Sequence, residues 1–352
     1  MIIPIHHPSL QLFGAGGDPS ELIRVPFGVS KQVSPNVERL ATHTSGLKLR
    51  FTTNSSHINI HVGYEQIASH DHQPLTGVAG FDLYEQLSAA DPEVLPSWKA
   101  EYVAKDGTAS RYLHTYRMTL DVYETLSYTG TYENPEPGMH HYTLYLPLYA
   151  SVRKLELELD DDAVLETHGF SYRNENPWVF YGSSITQGGC ATRPGNSYMA
   201  HLERRFNLDT RNLGFSGSAK GEPTMATYIA SQPMDAFVMD YDHNAPDPEW
   251  LQNTHEPFFQ EIRRAQPELP IYLLSSVTRP KTEESADNFE ARRRIIRQTY
   301  LNAKNAGDKN VYYKDMGGTF DFPGGSSATV DGLHPTDFGF YLMAQQLADL
   351  IG

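Results

Sequence analysis

The stretch Val179-Phe180-Tyr181-Gly182-Ser183-Ser184-Ile185-Thr186-Gln187-Gly188 runs from an apolar strand straight into a polar Gly/Ser turn. Downstream of it the same rhythm repeats. The pattern predicts a helix over 197–205, a strand over 210–213 with a short helix over 224–231, a strand over 236–241 with a helix over 250–265, a strand over 271–275 with a long helix over 285–306, and a strand over 311–313 before a last helix over 336–351. Strands alternating with helices in this way predict a parallel sheet covered on both faces, an α/β domain. In such sheets ligands sit beyond the carboxyl ends of the strands, so the loops that directly follow strands are where chemistry is to be sought.

Upstream the period is different. Segments 47–51, 58–62, 80–84, 112–118 and 142–148 are short and alternating, and Leu155, Leu157 and Leu159 alternate with charged residues. Such segments are half-buried strands. Turn signals such as Asp106-Gly107 and Asn134-Pro-Glu-Pro-Gly138 separate them, so this part reads as an all-β sandwich, jelly-roll-like. The alternation ends near 169–177, where Asn174-Glu-Asn-Pro177 punctuates the chain, and the expected domains are 1–172 and 173–352.

Composition narrows the function classes. The 352 residues hold 39% apolar side chains, with 16 Phe, 21 Tyr and 3 Trp, which is enough for ordered cores throughout. There are 28 basic against 43 acidic residues, a net charge of −15, and no basic stripe, so nucleic acid is not an expected partner. The run Arg292-Arg293-Arg294 with Arg297 falls inside a predicted helix and reads as a solvated face. A single cysteine, Cys190, excludes an internal disulfide. The N-terminus lacks a basic segment followed by an apolar core, and there is no run of about 18 apolar residues, so the expectation is a cytoplasmic protein with no membrane partner.

Ser184 lies in the loop after the first predicted strand of the α/β half, where a hydroxyl points into the cleft. A serine is a weak nucleophile unless an imidazole takes its proton, and the imidazole needs a carboxylate to fix its tautomer. Asp331-Gly332-Leu333-His334-Pro335 offers both within one turn ahead of the last helix, with Pro335 fitting the helix's first turn. Taken alone, this motif also reads as an aspartate capping a turn beside a surface histidine.

These residues carry a resemblance. Gly182-Ser183-Ser184-Ile185-Thr186 resembles block I of the SGNH, or GDSL-like, hydrolases, whose usual form is Gly-Asp-Ser-(Leu/Ile)-Thr; Ser183 stands where that family has Asp. Asn212-Leu213-Gly214-Phe215-Ser216-Gly217 resembles block II, Asp240-Tyr241-Asp242-His243-Asn244 sits where block III supplies an asparagine, and Asp331-x-x-His334-Pro335 resembles block V. The resemblance covers about 177 to the end of the chain. It implies a flavodoxin-like three-layer α/β/α domain and a serine esterase in which Ser184 attacks, His334 is the base and Asp331 orients it. The Ser184 N–H, the Gly217 N–H and the Asn244 amide are then the three donors of the oxyanion hole, each worth about 10²–10³ in rate. An all-β domain ahead of such a domain is similar to a subset of bacterial esterases that includes carbohydrate acetylesterases. The substrate it implies is a small-molecule or carbohydrate ester, with no cofactor and no metal, and homo-oligomerisation stays open. Two alternatives stand beside it: an acyltransferase that passes the same acyl group to an alcohol, and a non-catalytic sugar-binding protein on a degenerate hydrolase fold.

Other candidate sites are weaker. Gly214-Phe215-Ser216-Gly217-Ser218 lacks the Gly-x-Ser-x-Gly form of a nucleophile elbow around Ser218. Cys190 reads as a small buried or loop cysteine. His6-His7, His140-His141, His70, His72 and His243 lack metal-ligand spacing, and Asp160-Asp161-Asp162 reads as a solvated turn. The tyrosines of the β-rich half, Tyr112, Tyr116, Tyr142, Tyr145 and Tyr149, read as core and cross-strand pairs.

Overall fold

The computed structural model describes residues 1–17, 21–89, 100–277 and 280–351. They form two compact units, each discontinuous in sequence. One holds 1–24, 42–173 and 191–211; the other holds 25–41, 174–190 and 212–352.

The first unit is built of antiparallel strands: β1 (Ile2–Pro4), β2 (Gln11–Phe13), β3 (Lys48–Thr53), β4 (His57–Ile67), β5 (Phe81–Ser88), β6 (Tyr102–Val103), β7 (Thr108–Tyr116), β8 (Ser127–Glu133), β9 (His140–Tyr145), β10 (Ala150–Glu158) and β11 (Leu165–Glu166). They make one sheet in the order β1-β10-β4-β8 and a second in the order β11-β3-β9-β5-β7-β6, with β2 added against β3. Along β4, buried Ile58, Ile60, Val62 and Tyr64 alternate with half-buried residues, the pattern of a strand with one face inward. The two sheets form a sandwich. Tyr116 of β7 donates its hydroxyl to the Ile58 carbonyl of β4 at 2.9 Å, and the rings of Tyr132 (β8) and Tyr142 (β9) lie 6.5 Å apart. Tyr116, Tyr142, Tyr145 and Tyr149 are buried, as read from the sequence; Tyr112 is exposed.

The second unit carries a five-stranded sheet of β12 (Trp178–Gly182), β13 (Thr210–Gly214), β14 (Ala236–Asp240), β15 (Ile271–Leu274) and β16 (Val311–Lys314), ordered β13-β12-β14-β15-β16. Pairing is parallel from β12 through β14 and β15 to β16. Numbered within the sheet this order is 2-1-3-4-5, the flavodoxin-like winding, whose switch point lies where β12 parts β13 from β14. Every residue of β12, β13, β14 and β15 is buried, so both faces of these strands are covered. The helices Pro223–Ala230, Pro248–Ala265, Glu283–Asn305 and Asp337–Ile351 fall close to the ranges expected from sequence. Among the described residues, no helix is long and apolar enough to cross a membrane.

Two segments sit in units that a single boundary after residue 172 would not give them. Helices Phe27–Val33 and Pro35–Ala41 have no counterpart in the sequence reading, and Val25, Val37, Leu40 and Ala41 join the core of the parallel-sheet unit. Helix Tyr198–Phe206, by contrast, belongs to the sandwich unit: Ala200 packs with Tyr84 and Tyr145, and the Arg204 guanidinium lies 4.3 Å from the Tyr84 ring centre.

An ion pair fixes that helix. Lys48 Nζ, wholly buried, is 2.7 Å from Glu203 Oε2 and 3.1 Å from Asp209 Oδ1, and it donates to the Thr210 carbonyl at 3.1 Å. Tyr145 donates its hydroxyl to the other Glu203 oxygen at 2.8 Å. Removing the cation takes from the buried Glu203 carboxylate its ion-pair partner. Lys48→Met is therefore expected to cost about 3–5 kcal/mol, read as a lowered denaturant midpoint, and adding Glu203→Gln is expected to restore part of the loss.

Candidate active site

β12 ends at Gly182, and Ser183 turns the chain from strand to helix. Ser183 is fully buried, and its Oγ accepts the Ile185 N–H at 3.1 Å, capping the helical turn Ser184–Gln187. Serine at the position where GDSL-like sequences carry aspartate thus still caps the Ser184 turn. Thr186 donates its hydroxyl to Asp240 Oδ2 at 3.0 Å, tying this turn to the end of β14.

Ser184 opens the turn, and its Oγ lies 3.0 Å from His334 Nε2. The other ring nitrogen, Nδ1, lies 2.8 Å from Asp331 Oδ2. Asp331 Oδ1 accepts two backbone N–H groups, from Leu333 at 2.9 Å and His334 at 2.8 Å. Partial burial works to raise the Asp331 pKa; the His334 imidazole and these two N–H groups outweigh it and hold the carboxyl well below the usual carboxylate range. One turn therefore supplies the carboxylate, keeps it ionised and orients the imidazole against it.

That turn is closed by the backbone. Val330 N–H donates to the His334 carbonyl at 2.9 Å, and Thr329 bridges Pro335. Lys281 Nζ donates to the Asp331 carbonyl at 2.9 Å. Pro335 does not open the last helix, as its position after His334 suggests. The strand-like bridge holds Pro335 extended, Thr336 Oγ1 accepts the Gly339 N–H at 3.3 Å, and the helix begins at Asp337.

The loop after β13 carries Gly217. Its flanking amides are engaged: Phe215 N–H donates to the Gly182 carbonyl at 2.9 Å, Ser216 N–H to Gln187 Oε1 at 3.0 Å, and Ser218 N–H to the Phe215 carbonyl at 2.9 Å. The Gly217 N–H makes no hydrogen bond among the described residues. Gly217 has φ +65°, and a Cβ there would meet nothing within 4 Å. Glycine is needed for the backbone angle, and the space beside it is open. Crowding decides at Gly214 instead, where a Cβ would stand 2.3 Å from the Gln187 nitrogen.

Asn244 ends a short 3₁₀ turn, Asp242–Asn244, that follows β14. Its Nδ2 donates to the Phe215 carbonyl at 2.9 Å, which fastens the amide to the loop bearing Gly217 and leaves the second amide hydrogen for another acceptor. Behind it, Asp242 Oδ2 accepts the Ser276 N–H at 3.0 Å and Arg292 donates to the Asp242 carbonyl. The structure thus joins Ser184, His334 and Asp331 in one chain of hydrogen bonds. It links Gly217 and Asn244 through Phe215, and it connects their loop to the Ser184 turn through Gln187.

Three supporting residues escape a reading of the sequence. Gln187 is fully buried and holds the loop at Ser216. Tyr181, on β12, donates its hydroxyl to Glu222 Oε2 at 2.8 Å and accepts the Gly221 N–H at 3.0 Å, while Glu222 Oε2 also accepts the Lys220 N–H at 3.1 Å. These bonds pin the far end of the Gly217 loop. The rejected alternatives also have places: Ser218 Oγ donates to the Ser216 carbonyl at 3.1 Å, and Asp160 Oδ2 accepts the Ser56 N–H of the β3–β4 connection at 2.6 Å.

Two family models match this chain. Residues 175–352 match the model of the GDSL-like lipase/acylhydrolase family, and residues 9–165 match that of the N-terminus of SGNH-hydrolase-type esterases, the GxDLY domain. Gly80-Phe81-Asp82-Leu83-Tyr84 spells that motif. Among solved structures, the chain resembles a Bacteroides ovatus protein described as a GDSL-like lipase, at 25% identity and TM-score 0.84, covering 100% of this chain and 96% of that one. Two more distant structures share the fold. A salicylyl-acyltransferase from a tetracycline biosynthetic pathway is 22% identical with TM-score 0.74, covering 99% and 97%. A family two carbohydrate esterase from Clostridium thermocellum is 15% identical with TM-score 0.59, covering 87% and 92%. No curated protein matches the chain. A parallel sheet wound in the 2-1-3-4-5 order, the Ser184, His334 and Asp331 arrangement, and a family match over half of the residues agree: the chain belongs to the GDSL-like lipase/acylhydrolase family.

Proposed function

We propose that this protein is a serine-dependent carboxylic ester hydrolase acting through an acyl-enzyme. The observation that carries the reading is the unbroken relay from Ser184 Oγ through both nitrogens of His334 to an ionised Asp331. In the first half-reaction Ser184 Oγ attacks the ester carbonyl while His334 Nε2 takes its proton, and the imidazolium then gives that proton to the departing alkoxide. In the second, water attacks the acyl carbon with His334 as base, and Ser184 regains its hydrogen. Asp331 stabilises the imidazolium throughout and remains a carboxylate. The Gly217 N–H and the Asn244 amide, with the Ser184 N–H, are assigned to the oxyanion that forms in each step.

A short acyl group, acetyl in the first instance, on a carbohydrate or other small alcohol is the proposed substrate. The likeness in fold to family two carbohydrate esterases supports it. Transfer of the acyl group to an alcohol instead of water is the second reading, supported by the likeness in fold to a salicylyl-acyltransferase along nearly the whole of both chains. Both readings share one acyl-enzyme, and product analysis with and without an added alcohol separates them.

A thiol mechanism at Cys190 is not favoured. The residue is buried with φ +74°, and burial, helped by the Asp331 charge, pushes its pKa up to about 12, so the thiolate is scarce at neutral pH.

Three outcomes follow. Ser184→Ala, folded as judged by circular dichroism, is expected to lose roughly 10⁴-fold or more of p-nitrophenyl acetate turnover; wild-type turnover in this variant would remove Ser184 from the mechanism. Asn244→Ala is expected to lower kcat by about 10²–10³ with a smaller change in KM. At pH 8, Cys190 in the native protein is expected to react with iodoacetamide at least about a hundredfold more slowly than in urea.

A further inference from the structure

The sandwich unit contains a cavity of about 290 Å³ that the ester chemistry does not use, lined by Arg117, Arg193, His114, Tyr112 and threonines. Two guanidinium groups face it without a carboxylate in the lining, in a chain that carries 43 acidic side chains and a net charge of −15.

Arg193 is held in place by the Gly-x-Asp-Leu-Tyr motif. Its NH1 donates to Asp82 Oδ2 at 3.0 Å and to the Tyr84 hydroxyl at 2.6 Å, and its guanidinium lies 4.2 Å from the Tyr112 ring centre. Its other guanidinium N–H groups make no hydrogen bond among the described residues. Asp82 is fully buried behind it and fully used: Oδ1 accepts the Thr115 hydroxyl at 2.7 Å, and Oδ2 also accepts the Gly195 N–H at 2.8 Å. Asp82 therefore balances Arg193 and fixes its direction. Arg117 is exposed and makes no ion pair among the described residues, so the lining keeps one uncompensated positive charge. Burial, and next the charge of Arg117, lower the pKa of His114, so its neutral ring adds hydrogen-bonding capacity without a second charge.

A guanidinium pre-set by a buried carboxylate and a ring face, in one lining with a second guanidinium, is a donor set that recognises an oxyanion, and the Thr76 and Thr115 hydroxyls, whose protons go to the Thr192 carbonyl and to Asp82, can accept from a hydroxylated body. We propose that this cavity is a binding subsite for a sugar-sized small molecule bearing a carboxylate or a phosphate, with Arg117 and Arg193 as its anion-recognising residues. The assignment concerns recognition alone and stands or falls separately from the reaction at Ser184.

Isothermal titration of the full-length protein with glucuronate, glucose 6-phosphate and glucose tests it. The expected result is saturable binding of at least one charged sugar, no comparable binding of glucose, and a loss of roughly tenfold or more in Arg117→Ala, the scale of one charge-assisted contact. Arg117→Lys, which keeps the charge but not the fork, is expected to fall between, and Arg153→Ala, an exposed arginine elsewhere on the same unit, to bind like wild type. The tighter of the two charged sugars identifies the anion as carboxylate or phosphate. Binding of neither charged sugar above glucose, or undiminished binding in Arg117→Ala, overturns the proposal.

Discussion

The hydrogen bond between Ser184 Oγ and His334 Nε2 joins residues 150 positions apart in the chain, and it exists only when the parallel sheet is complete. Ser184 is placed by the end of β12, and His334 by a closed turn that follows β16. Between them in the chain lie four strands, β13 to β16, and the helices that cover them. A hydroxyl at 3.0 Å from an imidazole is useful only if that imidazole is held in one tautomer. The structure achieves this locally: the carboxylate that orients His334 is three residues away and is itself held by two N–H groups of the same turn. The long-range fold has to deliver a single distance, and the turn supplies the rest of the geometry before that distance is met.

The loops after β12, β13 and β14 flank the switch point, and they are tied to one another by side chains as well as by the sheet. Gln187 holds Ser216, Asn244 holds Phe215, Thr186 holds Asp240, and Asn212 donates to the Thr186 carbonyl at 2.8 Å. Every one of these bonds links two loops that follow different strands or the strand end next to them. Such cross-ties keep backbone donors aimed at a fixed point, which is what electrostatic stabilisation of a forming oxyanion needs. The buried hydroxyl of Tyr181 and the carboxylate of Glu222 extend the same arrangement to the far end of the Gly217 loop. In the sandwich unit, Asp82 and Tyr84 do comparable work on the segment that contains Arg193 and Gly195, which gives the Gly-x-Asp-Leu-Tyr motif a physical reason.

Much of this was legible in the sequence because it is written locally. Alternation of period two in residues 47–159 and of strand with helix after 177 is set by which faces are buried, and the strands and helices fall close to where those patterns put them. Ser184 and the Asp331 to His334 turn were legible because a turn motif needs only neighbours. What the sequence hid depends on distant partners. The helices Phe27–Val33 and Pro35–Ala41 are too short for a clear period, and their core contacts lie with residues about 140 or more positions later. Glu203 and Arg204 look like a solvated helix face, yet Lys48, Tyr145 and Tyr84 bury them. Gln187 is one more polar residue in a polar turn, and nothing near it in sequence announces Ser216 as its partner. Pro335 suggested a helix start because proline suits that position; the bridge to Thr329 holds it outside the helix.

The central claim is that an acyl group passes through Ser184. Mixing the wild-type protein with excess p-nitrophenyl acetate, quenching in acid during turnover and locating the acetyl group by peptide fragmentation tests it directly. The account predicts acetyl on the Ser184 hydroxyl at a level that rises and decays with substrate. Acetyl carried through turnover on Cys190 or Ser218, with Ser184 unmodified, would contradict it.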